Sequence, residues 1–283
     1  MSAAKKIWLN DRLIAVDNAH ISPLDRGFTL GDGLFETMRV RSGQVLRLES
    51  HLARLRRGAA VIGLSLSWTD TELEEAITQT LFANELQDAF VRLTVSRGVP
   101  SVRGLLPDSN ASPTLVIQCG EFDGYPAALY ERGMRVVTSS VRRSEFSPLA
   151  NVKSLNYLDQ ILARQEAAAK GADDALMLNT AGNVACASAA NIFFVKDDTL
   201  ITPRLSDGAL PGTMRAYVLD ELAQQHGLVV IERSISLTEI DEMDEAFLTN
   251  ALMGLMPLVS VNDRAINAGV AGKLTLALRH ASE

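Results

Sequence analysis

Residues 182 to 215, GNVACASAANIFFVKDDTLITPRLSDGALPGTMR, leave the chain little freedom. Gly182-Asn183 turns into a short strand, small residues lead to Asn191, and an aromatic strand, a turn and Leu200-Ile201-Thr202 follow. Strands this short carry backbone groups that only neighbouring strands can pair, so they belong to a sheet. The stretch closes on Pro211-Gly212-Thr213-Met214-Arg215, which opens a helix. A glycine before the unpaired N–H groups of a helix start is a place where phosphate binds. An ordinary loop-to-helix junction has the same pattern, so the glycine alone decides nothing.

The remaining pattern extends this frame in both directions. Before it come a strand (MRVVTSS), a helix over 156–170 and the strands DALMLN and NVACAS. After it come a helix over 212–226, the strands LVVIER, EAFLTN and LMPLVSV, and a helix over 270–281. The first third reads as the hairpin IWLN-DR-LIAV with its turn at Asn10-Asp11, then LFETMRV and QVLRL joined by Arg41-Ser42-Gly43. Two helices follow. One runs from Glu49 to Ile62, with Leu48, Leu52, Leu55, Ala59 and Ile62 on one stripe. The other starts at SWTDTELEEA, where Thr69 or Asp70 caps. AFVRLTVSRG and SPTLVIQCG are strands, and GEFDGYPAALYER, residues 120–132, loses periodicity. The chain therefore reads as α+β with a mixed sheet in each half: an N-terminal domain over 1–120, a linker over 121–132 and a C-terminal domain over 133–283.

Composition enters only to exclude. At 283 residues, 47% hydrophobic and 22% charged, the chain can bury a sizeable core. A net charge of −7 argues mildly against nucleic acid. The stretch MSAAKKIWLN holds no apolar run of signal-peptide length, and no segment reaches the roughly 20 apolar residues of a membrane helix. Cys119 and Cys186 make no disulfide framework, and neither they nor the four scattered histidines show metal spacing. The expectation is a cytoplasmic, metal-free protein acting on a small molecule.

Lys153 stands out, just before the 156–170 helix and after the apolar pair Leu149-Ala150. Most lysines so placed are solvated side chains. An amine in an apolar setting also loses its proton more easily, which is what a Schiff-base nucleophile needs.

Together these segments resemble the class IV aminotransferases, the pyridoxal-phosphate enzymes of fold type IV. Ser188, Asn191, Ile192, Phe193, Leu200, Thr202, Leu210, Gly212 and Arg215 fit that family's signature in order. DRGFTLGDGLFETMRV, residues 25 to 40, looks like its strand entering the active site, and HLAR, residues 51 to 54, like its phosphate-gripping helix. The resemblance implies an α/β, two-domain fold, with a small N-terminal α+β domain and a larger C-terminal mixed-sheet pseudo-barrel. It implies pyridoxal 5′-phosphate as cofactor, held by Lys153 as the internal aldimine. Arg54, the backbone of Thr213 and Met214 behind Gly212, and the turn at Asn250-Ala251 would hold the phosphate, with Ser188 and Asn191 alongside. Phe35, Arg39 and Arg103 would meet the substrate. A site between the two domains, at the edge of a homodimer, is implied as well.

Two positions depart from the signature. Thr213 replaces an aliphatic residue, which matters little if its backbone makes the contact. Cys186 stands where the family has the glutamate that keeps the pyridinium nitrogen protonated. A neutral thiol cannot offer that charge. The ring is then left unprotonated, or another acid substitutes in space, or the chain keeps the fold without the activity.

Several segments resemble aminodeoxychorismate lyase, which releases pyruvate and 4-aminobenzoate, more closely than the aminotransferases. They are KSLNYLDQILAR, FLTNALMGLMPL and VSRGVPSVRGLLP. The lyase is the first expectation. An aminotransferase of D-amino-acid or branched-chain type is the alternative, and Glu36 and Arg39 fit it at least as well. A non-catalytic protein of the same fold is the second alternative, on account of Cys186. Tyr157 reads as a helix-packing residue, and Cys119 as buried and inert.

Overall fold

A computed structural model describes residues 5–107 and 111–282. The first four residues of the stretch read above for a leader lie outside them. The chain divides into two units. The first is Met1–Asp123 together with Val152–Asn156, and the second is Gly124–Asn151 together with Tyr157–Glu283.

In the first unit, β1 (Lys6–Leu9) and β2 (Arg12–Ala15) form a hairpin, with Asn10 in the left-handed conformation its two-residue turn requires. A five-residue helix follows, α1 (Arg26–Leu30), then the hairpin β3 (Gly33–Arg41) and β4 (Gln44–Val45). Next come α2 (Leu48–Val61), α3 (Asp70–Ala83), β5 (Ala89–Ser96) and β6 (Thr114–Glu121). Thr69 caps α3 in a reciprocal box: its hydroxyl accepts from Glu72 N, and the Glu72 carboxylate accepts from Thr69 N.

The sheet order is β2-β1-β6-β5-β3-β4, and each pairing is antiparallel. This corrects the expectation of a mixed sheet in the first half. Tight hairpins join β1 to β2 and β3 to β4, and the two-helix connection returns β5 antiparallel to β3. Alternation along β3 and β5 then separates two faces. Leu34, Met38, Val40, Val91, Leu93 and Val95 pack against Leu52, Leu55 and Ala59 of α2 and Ile77 of α3. Phe35, Thr37, Arg39, Phe90, Arg92 and Thr94 occupy the other face.

The second unit begins with α4 (Ala127–Arg132), a helix inside the segment expected to be a linker. It continues with β7 (Met134–Arg143), α5 (Leu158–Ala169), β8 (Asp174–Asn179), β9 (Val184–Ala187), β10 (Asn191–Lys196) and β11 (Thr199–Thr202). Then come α6 (Thr213–Tyr217), a π-helical turn (Val218–Leu222) and α7 (Ala223–Gln225). The unit closes with β12 (Val229–Glu232), β13 (Glu245–Asn250), β14 (Gly254–Val261), β15 (Arg264–Ala265) and α8 (Lys273–Ser282). The strand order is β12-β11-β10-β13-β14-β7-β8-β9, with β15 on β14. The sheet is mixed: β12 on β11, β7 on β14 and β8 on β7 are parallel.

Both faces of this sheet are covered, which is why IFFV is apolar without alternation. Ile192 and Phe194 enter one core with Leu248 and Leu258, while Phe193 and Val195 enter another with Met214, Val218 and Leu222. Phe193 stacks on Phe247 at 5.0 Å between ring centroids. The helix expected over 212–226 is interrupted by the π turn, whose wider pitch lets Leu222 and Ala223 both reach the core. In α5 the packed side is Ala163 and Ala167, which sit close on Val137, Ala175 and Met177. Leu158, Ile161 and Leu162 point outward in this chain, at 72%, 47% and 49% exposure.

Candidate active site

Lys153 is placed by the first unit. The excursion Val152–Asn156 pairs with the start of β3: Phe35 N donates to Lys153 O at 3.0 Å, Leu155 N donates to Gly33 O at 3.0 Å, and Ser154 bridges Leu34. Gly33 permits this approach, since a Cβ there would lie 2.4 Å from Val95 O and 2.7 Å from Leu155. Lys153 Nζ then rests 4.3 Å from the centroid of the Phe35 ring, and the Arg92 guanidinium carbon lies 3.8 Å from the same centroid. Burial first, then the positive charges of Arg54 and Arg92, bring the Lys153 amine down to about 7, against the opposing charge of Glu36.

Arg54 is buried on α2, and its guanidinium is gripped by Glu36 of β3. Its Nε donates to Glu36 Oε1 at 2.9 Å and its Nη2 to Oε2 at 2.6 Å. His51 Nδ1 lies 2.7 Å from Oε2. Burial would raise Glu36, but the Arg54 charge and hydrogen bonds, with His51, hold it at about 2. Burial holds His51 below the usual imidazole range, so the ring is neutral. A neutral imidazole beside an ionised carboxylate must donate, so the proton sits on Nδ1.

Arg39 lies four residues beyond Phe35 on the same face of β3. It is buried, donates to Phe122 O and stacks 4.7 Å from the Phe122 ring centroid. Arg103 is on an exposed loop. The buried Arg26 holds that loop, donating to Gly104 O at 2.7 Å and Leu105 O at 2.9 Å, while its Nε pairs with Asp32 at 2.7 Å.

The second unit gathers the remaining residues around the ends of β9, β10 and β13. Asn191 Nδ2 donates to Leu210 O at 2.9 Å, and a Cβ on residue 212 would meet Asn191 Oδ1 at 2.1 Å, so asparagine and glycine fit as a pair. They set the start of α6, where Thr213 and Met214 present the first-turn N–H groups that have no acceptor within a helix. Thr202 Oγ1 donates to Ile192 O at 2.7 Å, and the buried Arg215 donates to Pro203 O at 3.0 Å and pairs with Glu232. The Asn250-Ala251 turn is tied back through Asn250 Nδ2, which donates to Ala189 O at 3.2 Å, while Asn250 Oδ1 accepts from Leu252 N and Met253 N. Next to it, Thr249 Oγ1 is buried with no hydrogen-bond partner among the described residues.

Ser188 donates to Asp174, which also accepts from Ala175 N at 2.7 Å and pairs with Arg164 at 3.1 Å. Cys186 faces Met177 across the β8–β9 ladder and is buried. Burial pushes its thiol up, so it is neutral near pH 7. Cys119 is half-buried, and burial likewise pushes it up to about 11. Among the described residues no group of His, Cys, Asp and Glu side chains could hold a metal ion.

The structure thus brings Lys153, Phe35 and Arg54 together in one unit, and Asn191, Gly212, Thr213, Met214 and Asn250 in the other. Arg92 was missed by the sequence reading, and Glu36 was noticed there without a partner. Arg92 had a signal: it is a charged residue at a half-buried position of the alternating strand AFVRLTVS.

A lysine and an arginine thus stand beside the antiparallel sheet of the first unit, and a glycine-led helix start beside the mixed sheet of the second. Comparison with known proteins names the family. The family described as amino-transferase class IV matches residues 33–261, and the chain belongs to that family. A Methanocaldococcus jannaschii relative, named provisionally as a branched-chain-amino-acid aminotransferase, is 35% identical over 97% of this chain and 94% of its own. The solved structure of branched-chain amino acid aminotransferase from Escherichia coli covers 98% of this chain, and 93% of that chain is covered, at a TM-score of 0.93 and 26% identity. The solved 4-amino-4-deoxychorismate lyase of Pseudomonas aeruginosa matches at a TM-score of 0.86 and 33% identity over 97% of each chain. The small antiparallel and large mixed, curled sheets are those of fold type IV, as expected. The preference for the lyase is not the one these relatives favour. The short segments behind it did not outweigh similarity over the whole chain.

Proposed function

We propose that this chain is a pyridoxal-phosphate-dependent aminotransferase that exchanges the amino group between a branched-chain amino acid and a keto acid. The observation that carries the reading is the Lys153 amine. It is covered by the Phe35 ring and brought down to about 7, so a free-base fraction is present near neutral pH. The residues fit the cofactor on two further grounds. Gly212 packs directly against Asn191 and so sets the backbone N–H groups at the start of α6, and the buried Thr249 hydroxyl beside the Asn250-Ala251 turn awaits an acceptor or donor. Two solved structures of a related branched-chain amino acid aminotransferase carry pyridoxamine 5′-phosphate and a phosphopyridoxyl-glutamate adduct.

The cofactor supplies an electron sink for the pair released when the substrate α-C–H bond breaks. Lys153 would anchor it covalently, and its free amine would remove the α-proton and return it. The Arg54 guanidinium, and the N–H groups of Thr213 and Met214 at the start of α6, are each groups that would hold phosphate oxygens. Beside Lys153, Phe35 forms an apolar wall, and Arg92 on its ring adds positive charge that favours a carboxylate nearby. Arg39, with its guanidinium on Phe122, is better placed to brace the strand than to grip substrate. Exposed Phe28, Leu105 and Leu106 support pairing with a second copy of the chain.

The test is the absorption spectrum of the protein with pyridoxal phosphate, before and after borohydride, for wild type and Lys153→Ala. Wild type should turn yellow and become permanently labelled at Lys153, and the variant should not. A colourless wild type that never takes up cofactor would overturn the enzyme reading. A second reading, the lyase, is supported by the Pseudomonas aeruginosa structure. Leucine with 2-oxoglutarate, set against 4-amino-4-deoxychorismate, separates the two: glutamate formation supports the aminotransferase, and 4-aminobenzoate formation the lyase.

A further inference from the structure

We propose that Glu36 is a positioning residue for Lys153 and Arg54: it fixes the Arg54 guanidinium edge-on and sets one negative charge against the two guanidinium groups, Arg54 and Arg92, whose charges act on the lysine. The proposal deepens the reading of Lys153 as the cofactor lysine. Adjacent residues of β3 reach opposite faces of the sheet, so Phe35 covers Lys153 on one side while Glu36 enters the helix side. There its carboxylate is fully engaged: Oε1 accepts from Arg54 Nε, and Oε2 accepts from Arg54 Nη2 and His51 Nδ1. Glu36 is 1% exposed and Arg54 is 6% exposed. A buried guanidinium stripped of this carboxylate would keep its full charge in a poorly solvated place.

The charged groups acting on Lys153 are Arg54 from α2, Arg92 from β5 and Glu36 from β3, and the neighbouring His51 is neutral. With Glu36 present, two positive charges face one negative charge. Without it, two positive charges stand alone, and protonating the lysine becomes harder still. The direction is therefore fixed: loss of Glu36 lowers the pH at which Lys153 takes up its proton, and a shorter carboxylate largely preserves it.

The experiment uses the full chain stripped of cofactor. Acetylation of Lys153 by acetic anhydride is followed by peptide mass spectrometry from pH 5 to 10, in wild type, Glu36→Gln and Glu36→Asp. For Glu36→Gln the labelling rate at pH 6 should rise about fivefold, as expected when the midpoint falls from about 7 to about 6, while Glu36→Asp stays near wild type. An unchanged profile in a folded Glu36→Gln protein would overturn the proposal and leave Glu36 a fold-holding residue only. If Glu36→Gln does not fold, Arg54→Gln is compared with the double variant Arg54→Gln/Glu36→Gln. The double variant should titrate lower than the single, and coincident profiles would again overturn the proposal. The readout needs no cofactor, so failure of the borohydride test and failure of this one are separate results.

Discussion

At the scale of the residue, the sequence made Lys153 conspicuous but could not supply its surroundings. Arg54 and Glu36 lie eighteen positions apart, and nothing in their spacing announces a bidentate pair. The same holds for Arg92, whose place over Phe35 depends on strand register. Motif residues were easier to read because they follow one another in the order of a family signature, although Asn191 and Gly212, which meet directly, lie no closer in sequence. Gly212→Ala should therefore cost about 1–3 kcal/mol and weaken cofactor binding, because the new methyl meets Asn191 Oδ1 or displaces it. Thermal unfolding and a pyridoxal-phosphate titration check both effects. Lys153 also leaves a mark on pH dependence. Its folded value, about 7, lies below the ordinary lysine value, so the unfolded chain binds the extra proton between the two. Stability of the cofactor-free protein should rise with pH from about 7 to about 10.4 relative to Lys153→Met, as urea unfolding of the two proteins would show. Glu36 gives a slope of the same sign at the acid end: its stabilisation is present above about 4.5 and is lost as pH falls toward about 2. Cys186→Ala should change turnover by less than about tenfold, since a neutral thiol contributes no charge; steady-state kinetics measure it.

Among the elements, most of the strands and helices were legible because their punctuation is local. Asn10-Asp11 reversed the first hairpin, and Thr69 with Glu72 closed the capping box. Thr69→Ala should lower stability by about 1 kcal/mol in denaturant unfolding, with no change in cofactor affinity. Direction and partnership were not legible. The most apolar residues of α5, Leu158, Ile161 and Leu162, point outward, and the side that packs is Ala163 and Ala167, where small residues let the helix lie close to β7 and β8. The π turn after Tyr217 was hidden because an extra residue in one turn changes no residue type. Strand polarity in the first sheet was misread because α2 and α3 separate β4 from β5, and the sequence does not say which way the chain returns. At the other end of the chain, Glu245 accepts from Leu274 N and Thr275 N at the start of α8, a link of about thirty residues that no cap motif signals.

For the whole molecule, the division into units follows chain order except at the residues that matter most. Val152–Asn156 belongs with the first unit although its flanks belong with the second. A fragment ending at Asp123 therefore lacks the segment that pairs with Gly33, Leu34 and Phe35. Such a fragment should unfold at a lower temperature than the same fragment supplemented with a peptide covering 150–157, and calorimetry of the two samples would decide it. Light scattering should give the intact protein twice the 30.6 kDa chain mass, as the exposed apolar side chains of the first unit suggest. The excursion also sets a schedule. A ribosome releases the chain from its N-terminus, so the first sheet and its helices are complete in sequence well before Lys153 leaves the exit tunnel. Until then the edge at Gly33–Phe35 waits for its partner segment. The lysine arrives last at a surface already built to receive it, and the act that seals the first unit is also the act that arms it.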